Sequence, residues 1–219
     1  MSKKGFIFDL DGVIVDTAKY HFLAWKKLAD QLGFNFTLEQ NEQFKGVSRQ
    51  KCLEILLDIG SIKASKEQFD FWMQDKNKDY LEYIDTMDES DVLPDVARTL
   101  DYLKGRSIPI ALGSASKNAR PILEKVEMQS YFDFIVDGNS VTKAKPDPEV
   151  FLYAADKLKV DPKNCIVFED AVAGIEAANN AEMISIGIGN ADILSNADYN
   201  FKDFTEIDFD FLDGMFSKV

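Results

Sequence analysis

The sequence predicts an α/β protein: a parallel sheet with helices on both faces, interrupted after its first strand by a helical insertion. Three observations carry this. Strand-like and helix-like segments alternate between residues 96 and 188, the pattern of a covered parallel sheet. A short apolar strand, Gly5–Phe8, stands apart at the start. Between residues 17 and 85 no strand is obvious, and apolar residues recur instead at helical spacing.

In chain order, GFIF (5–8) has the continuous apolar character of a buried strand. Phe22, Trp25, Leu28, Ala29 and Leu32 mark one face of a helix that stops at Gly33. Leu53, Leu56 and Leu57 mark a second helix, and Phe69, Trp72, Met73 and Tyr80 a third. Trp25 and Trp72 are read as core of this helical segment. Val96, Leu100 and Leu103 predict a helix ending at Gly105. IPIAL (108–112) then reads as strand, 119–126 as helix, FIV (134–136) as strand and 150–158 as helix. CIVF (165–168) is strand, 171–179 a small-residue helix, and MISIGI (183–188) strand again. The expected division is a core of residues 1–15 plus 88–219 and a helical domain of residues 16–87.

The 219 residues carry a formal net charge of −13, which argues against nucleic acid or an anionic membrane surface as the main partner. A small anionic ligand is compatible with that charge where a site gathers local positive residues. No stretch has the length of a membrane span, and the apolar run near the start is too short for a signal peptide. Cys52 and Cys165 lie in apolar surroundings without metal-ligand spacing, so buried, reduced thiols and a cytoplasmic location are expected. With no extra apolar stripe, a monomer is expected.

Open parallel sheets bind ligands beyond the carboxyl ends of their strands. Asp9 and Asp11 follow the first strand, and Gly113, Ser114, Ala115, Ser116 and Lys117 follow IPIAL. Lys143 and Lys145 come after FIV, and Glu169 and Asp170 after CIVF. Each piece alone has an ordinary reading: a solvated acidic loop, a helix N-cap, a surface lysine, acids at a helix start. Their joint placement is what points to chemistry. Four converging acids repel unless a cation joins them, and an all-oxygen donor set without Cys or His suits Mg2+. A lysine and a Ser-rich turn beside it complete a cradle for a phosphoryl group, and an Asp at the metal can serve as nucleophile.

FIFDLDGVIVDT resembles the first motif, DxDG(V/T), of the haloacid dehalogenase (HAD) superfamily of phosphotransferases. ALGSAS is similar to the second motif, Lys145-Pro146 to the third and VFEDAVAGIEAA to the fourth, in the family's order. The resemblance implies the HAD fold, a Rossmann-like core with a mobile α-helical cap. DTAKYHFLAWK, FKGVSR, GSASKNA and KPDPEVF most resemble the β-phosphoglucomutase family. That family interconverts β-glucose 1-phosphate and glucose 6-phosphate through a bisphosphate.

By this resemblance Asp9 is the nucleophile and Asp11 the general acid/base. Asp9, Asp170 and the Asp11 carbonyl hold the metal, and Glu169 either joins them as a ligand or supports one closely. Ser114 and Lys145 hold the transferring phosphoryl group, with Ala115 in the same turn, while Arg49, Ser116, Lys117 and Asn118 hold the second phosphate. Lys45, Gly46, Val47, Ser48, His21 and Lys76 lie at cap and hinge positions near the sugar, His21 in a supporting role. Guanidinium suits the distal phosphate because it grips bidentately. Gly113 stands before the second-motif serine where a small residue of varied kind is expected. Cys52 replaces a small hydroxyl residue of some relatives, which puts one distal hydrogen bond in doubt.

Two other functions share these residues. A HAD-type sugar-phosphate phosphatase would use the same Asp9 and Asp11 with water as acceptor. A phosphoaspartate receiver would need neither Asp11 nor a cap.

Overall fold

The computed structural model describes residues 3–45 and 47–217. Gly46 therefore lies outside the described residues. Six strands form one all-parallel sheet: β1 (Gly5–Phe8), β2 (Ile110–Gly113), β3 (Phe134–Val136), β4 (Cys165–Glu169), β5 (Ile184–Ile188) and β6 (Tyr199–Phe201). Their order is β3-β2-β1-β4-β5-β6, so the chain runs outward to one side and then to the other. That reversal at β1 and β4 is a topological switch point, which opens a crevice at their carboxyl ends.

Four helices lie between β1 and β2: α1 (Ala18–Gln31), α2 (Leu38–Asn41), α3 (Arg49–Ile59) and α4 (Lys66–Ile84). The others, α5 (Val96–Gly105), α6 (Ala119–Lys125), α7 (Glu149–Leu158), α8 (Val172–Asn180) and α9 (Phe209–Ser217), belong to the α/β layers.

Side chains alternate across a strand, and β1 shows it. Phe6 and Phe8 enter one core with Leu112, Ile166 and Phe168, where Phe8 and Phe168 stack at 4.6 Å. Ile7 enters the opposite core with Ala111, Val167, Phe151 and Ala154. Every residue of β1, β2 and β4 is buried, so the strand ends are fixed mounts. Gly113 follows from the same packing: a Cβ there would lie 2.9 Å from the Phe151 ring and 3.0 Å from Ile7.

The inserted helices have a core of Trp25, Leu28, Phe36, Phe44, Leu53 and Leu56, while Ala24, Tyr80 and Ile84 join the cluster of Phe6 and Phe8. Both chain crossings run side by side. Val15 pairs antiparallel with Val92, and Asp16 N–H donates to the Asp91 carbonyl at 3.0 Å. Lys19 Nζ meets the Asp91 carboxylate at 2.7 Å.

The expected strand at 108–112 begins two residues later, at Ile110, after Pro109, which has no N–H to donate to a ladder. Among the described residues no helix is long and apolar enough to cross a membrane. Cys52 and Cys165 are free and buried.

Candidate active site

Asp9 follows β1 directly, and its N–H donates to the Phe168 carbonyl at 3.0 Å, which locks it to the end of β4. Lys145 reaches in from the loop before α7, with 4% of its surface exposed. Its Nζ donates to Asp9 Oδ1 at 2.5 Å and to Glu169 Oε2 at 2.8 Å. Burial opposes that ammonium, but Asp9 and Glu169 outweigh it and hold its pKa above the ordinary lysine value. Glu169 is fully buried, and its other oxygen accepts from Ala171 N–H at 3.2 Å. Gly174 makes that pose possible, because a Cβ there would fall 2.0 Å from the Glu169 carboxyl carbon.

Carboxylate oxygens of Asp9, Glu169 and Asp170 lie within 4.8 Å of one another. Burial, then Glu169 and Asp9, push the Asp170 carboxyl well above its ordinary value, and burial raises Glu169 as well. One ammonium cannot neutralise this group. A hard divalent cation can, and three carboxylates without sulfur or imidazole fit Mg2+. Gly12, at φ 78°, leaves the room: a Cβ there would sit 2.2 Å from Asp170 Oδ2. The Asp11 side chain is directed elsewhere, so its metal reading rests on its backbone carbonyl.

These carboxyls set a testable pH dependence. Raised folded-state pKa values mean that the metal-free native state holds protons which the unfolded chain has released. Their contribution to stability therefore falls as pH rises from the ordinary carboxyl range toward neutrality. A divalent cation held there would compete with those protons and relieve the repulsion that replaces them. The gain in Tm on adding millimolar Mg2+ is expected to be larger at about pH 8 than at about pH 5. Melting curves with and without Mg2+ check this, and an equal or smaller gain at high pH contradicts it.

Asp11 sits in the turn after β1, where Thr17 Oγ1 donates to its Oδ1. Burial and the Asp9 charge push its pKa up to about 6. His21, on α1, has its Nε2 3.9 Å from the same oxygen, beyond hydrogen-bond length. Burial, Lys76 and Arg49 hold the imidazole neutral. Lys76, on α4, is 1% exposed and lies 3.2 Å from His21 Nδ1, over the rings of Trp25 and Tyr80 at 4.5 and 4.6 Å. Burial and Arg49 lower its pKa to about 7.

Ser114 is 1% exposed, and its Oγ accepts from Ser116 N–H at 3.0 Å. Ser116 Oγ accepts from Asn118 N–H at 3.2 Å, so the turn after β2 holds itself in shape. Arg49 is the first residue of α3, placed there because Ser48 caps that helix by accepting from Lys51 N–H. Lys45 pairs with Glu42 at 2.9 Å. The Cys52 thiol donates to the Phe44 carbonyl at 3.6 Å, and burial pushes its pKa up to about 12.

The turns after β1, β2 and β4, the loop before α7 and helices α1, α3 and α4 line one cavity of about 580 Å³. Asp9, Asp11, Ser114, Ala115, Lys145 and Asp170 line its core end. His21, Lys45, Val47, Ser48, Arg49 and Lys76, from the segment between β1 and β2, line it as well, as do Ser116, Lys117 and Asn118. Glu169 stands behind Lys145. Thr17, Trp25 and Asn77 join the site without being among the expected residues. Trp25 belongs to the cap core as expected and also lines the cavity. Asn77 receives a hydrogen bond from Asn118.

Residues 3–182 match the model of the haloacid dehalogenase-like hydrolase family. The chain is 43% identical to the β-phosphoglucomutase of Bacillus subtilis (strain 168), over 89% of this chain and 87% of that protein. It is 33% identical to a phosphorylated carbohydrates phosphatase of Thermotoga maritima, over 80% of each. The crystal structure of β-phosphoglucomutase from Clostridium difficile superposes with a TM-score of 0.93 at 40% identity, covering 98% of this chain and 97% of that one. The chain belongs to the haloacid dehalogenase superfamily and, within it, to the β-phosphoglucomutase family.

Proposed function

We propose that this chain is a Mg2+-dependent β-phosphoglucomutase. It interconverts β-D-glucose 1-phosphate and D-glucose 6-phosphate through an aspartyl phosphate at Asp9 and a β-glucose 1,6-bisphosphate intermediate. The observation that carries the reading is one cavity lined by a nucleophile and ammonium from the core and by a guanidinium from the inserted helices, with a Ser-Lys-Asn turn in the same lining. Such a cavity suits a sugar bearing a phosphate at each end. Residues 1–15 and 88–219 serve as the catalytic core, and residues 16–87 as the cap over the sugar.

Asp9 attacks phosphorus, and Lys145 and Ser114 hold the equatorial oxygens. Asp9, Glu169, Asp170 and the Asp11 carbonyl would hold Mg2+, which would supply neutralisation of the charge on the transferring group. Asp11 gives its proton to the departing sugar oxygen, and takes one from the attacking hydroxyl in the return step. Thr17 fixes that carboxyl, and neutral His21 stands behind it, bridged to Lys76. Arg49, Ser116, Lys117 and Asn118 hold the phosphate that is not transferring, and Lys45 to Ser48 border the sugar. After the bisphosphate turns end for end, the same groups serve the other phosphate. The cap excludes water, so a hydroxyl rather than water meets the phosphoaspartate.

The similarity to a phosphatase favours a second reading, in which water takes that place. Arg49→Ala separates the two. In a mutase it lowers kcat/KM for β-glucose 1-phosphate by roughly 10²-fold, since a charge-assisted bidentate contact is lost. Phosphorylation of Asp9 by acetyl phosphate, which has no distal phosphate, falls far less. Equal losses in the two assays would count against the distal site and for the hydrolase.

A further inference from the structure

The turn from Ser114 to Asn118 is tied down along its backbone. Ser114 N–H donates to Val136 at 3.0 Å, and Ser116 accepts from Gly138 N–H at 3.0 Å. Asn139 Nδ2 donates to the Lys117 carbonyl at 3.0 Å, and Asn118 N–H is held by Ser116 Oγ. The rotation of the Asn118 carboxamide is set by the helix across the cavity wall. Its Nδ2 donates to Oδ1 of Asn77, on α4, at 3.1 Å.

The orientation has chemical consequences. A carboxamide presents either two N–H donors or a carbonyl oxygen, and only the donors suit a phosphate. Asn77 Oδ1 takes one Nδ2 hydrogen and leaves the second for a phosphate oxygen. The bond also crosses the wall of the site. Asn118 lines the inner cavity, whereas Asn77 lines an outer groove along α3 and α4, and Arg49 borders both. Helix α4 meets the core again through Tyr80 and Ile84, buried in the cluster of Phe6 and Phe8, and through an exposed Asp85–Lys125 pair at 3.1 Å that is worth little. Asn77–Asn118 is thus the contact by which α4 reaches the turn after β2 at the cavity wall, and moving α4 away breaks it.

We infer that Asn77 is a positioning residue: through its bond to Asn118 it turns that amide toward the distal phosphate when the cap is closed. The grip on the phosphosugar is thereby coupled to cap closure. This rests on the mutase reading above. Asn77 is half-buried in the interior of α4, and alanine is the better helix former there, so Asn77→Ala keeps the fold, checked by circular dichroism and melting.

Asn77→Ala is expected to raise KM for β-glucose 1-phosphate about 10-fold while kcat changes less than about 2-fold. In an Asn118→Ala background the same substitution adds less than about a 2-fold further effect, because its partner is already gone. An unchanged KM in Asn77→Ala overturns the inference, as do losses that multiply in the double variant. If the wild type releases phosphate and forms no glucose 6-phosphate, the mutase reading fails. The same KM comparison on the hydrolysed phosphosugar then decides the Asn77 role by itself.

Discussion

Asp9→Asn abolishes turnover, by at least about 10⁴-fold, and leaves a folded protein that no phosphate donor labels. A carboxamide lacks the anionic oxygen that attacks phosphorus. Its carbonyl still accepts from Lys145 at the Oδ1 position, and Glu169 keeps its own bond to that ammonium at 2.8 Å. The buried cation is therefore not stranded, which limits the cost to stability that losing a partner entirely would bring. Intact-mass spectrometry after incubation with acetyl phosphate and Mg2+, together with circular dichroism, checks both halves. Retained turnover would refute the nucleophile assignment.

Asp11→Asn slows phosphoryl transfer between sugar and enzyme by roughly 10²–10⁴-fold. A sugar hydroxyl is a poor leaving group and needs a proton as its bond to phosphorus breaks. With a pKa pushed up to about 6, Asp11 is poised to give and take that proton near neutral pH. The loss is expected to shrink sharply when acetyl phosphate replaces the phosphosugar, because acetate leaves without protonation. Rapid-quench measurement of Asp9 phosphorylation from the two donors makes the comparison. A loss of the same size with both donors assigns Asp11 to holding the site together rather than to proton transfer.

Much of this architecture is legible from local pattern. Continuous apolar runs marked the central strands because strands covered on both faces bury every residue, as β1, β2 and β4 do. The last part of the core was not read. Strand β6 is three half-buried residues at the sheet edge, Tyr199–Phe201, with no apolar run to announce it. Helix α9 does carry a periodic signal in Phe209, Leu212, Met215 and Phe216, interrupted by Gly214 and two aspartates.

The candidate site divides in the same way. Asp9, Ser114, Lys145, Glu169 and Asp170 stand at or near predicted strand ends, so topology alone gathers them. Glu169 proved to be the last residue of its strand, where complete burial lets it serve Lys145 from behind. Thr17 and Asn77 gave no local signal. Thr17 matters through a bond back across the turn to Asp11, and Asn77 through a bond from helix to core. Such partners follow from how the inserted helices meet the sheet, which periodicity in one segment does not encode.

The most direct test mixes the protein with Mg2+, β-glucose 1-phosphate and a trace of β-glucose 1,6-bisphosphate, and follows the products by phosphorus NMR. Glucose 6-phosphate accumulating without inorganic phosphate is the predicted result. Phosphate released in step with substrate loss, without glucose 6-phosphate, contradicts it and makes the chain a phosphatase.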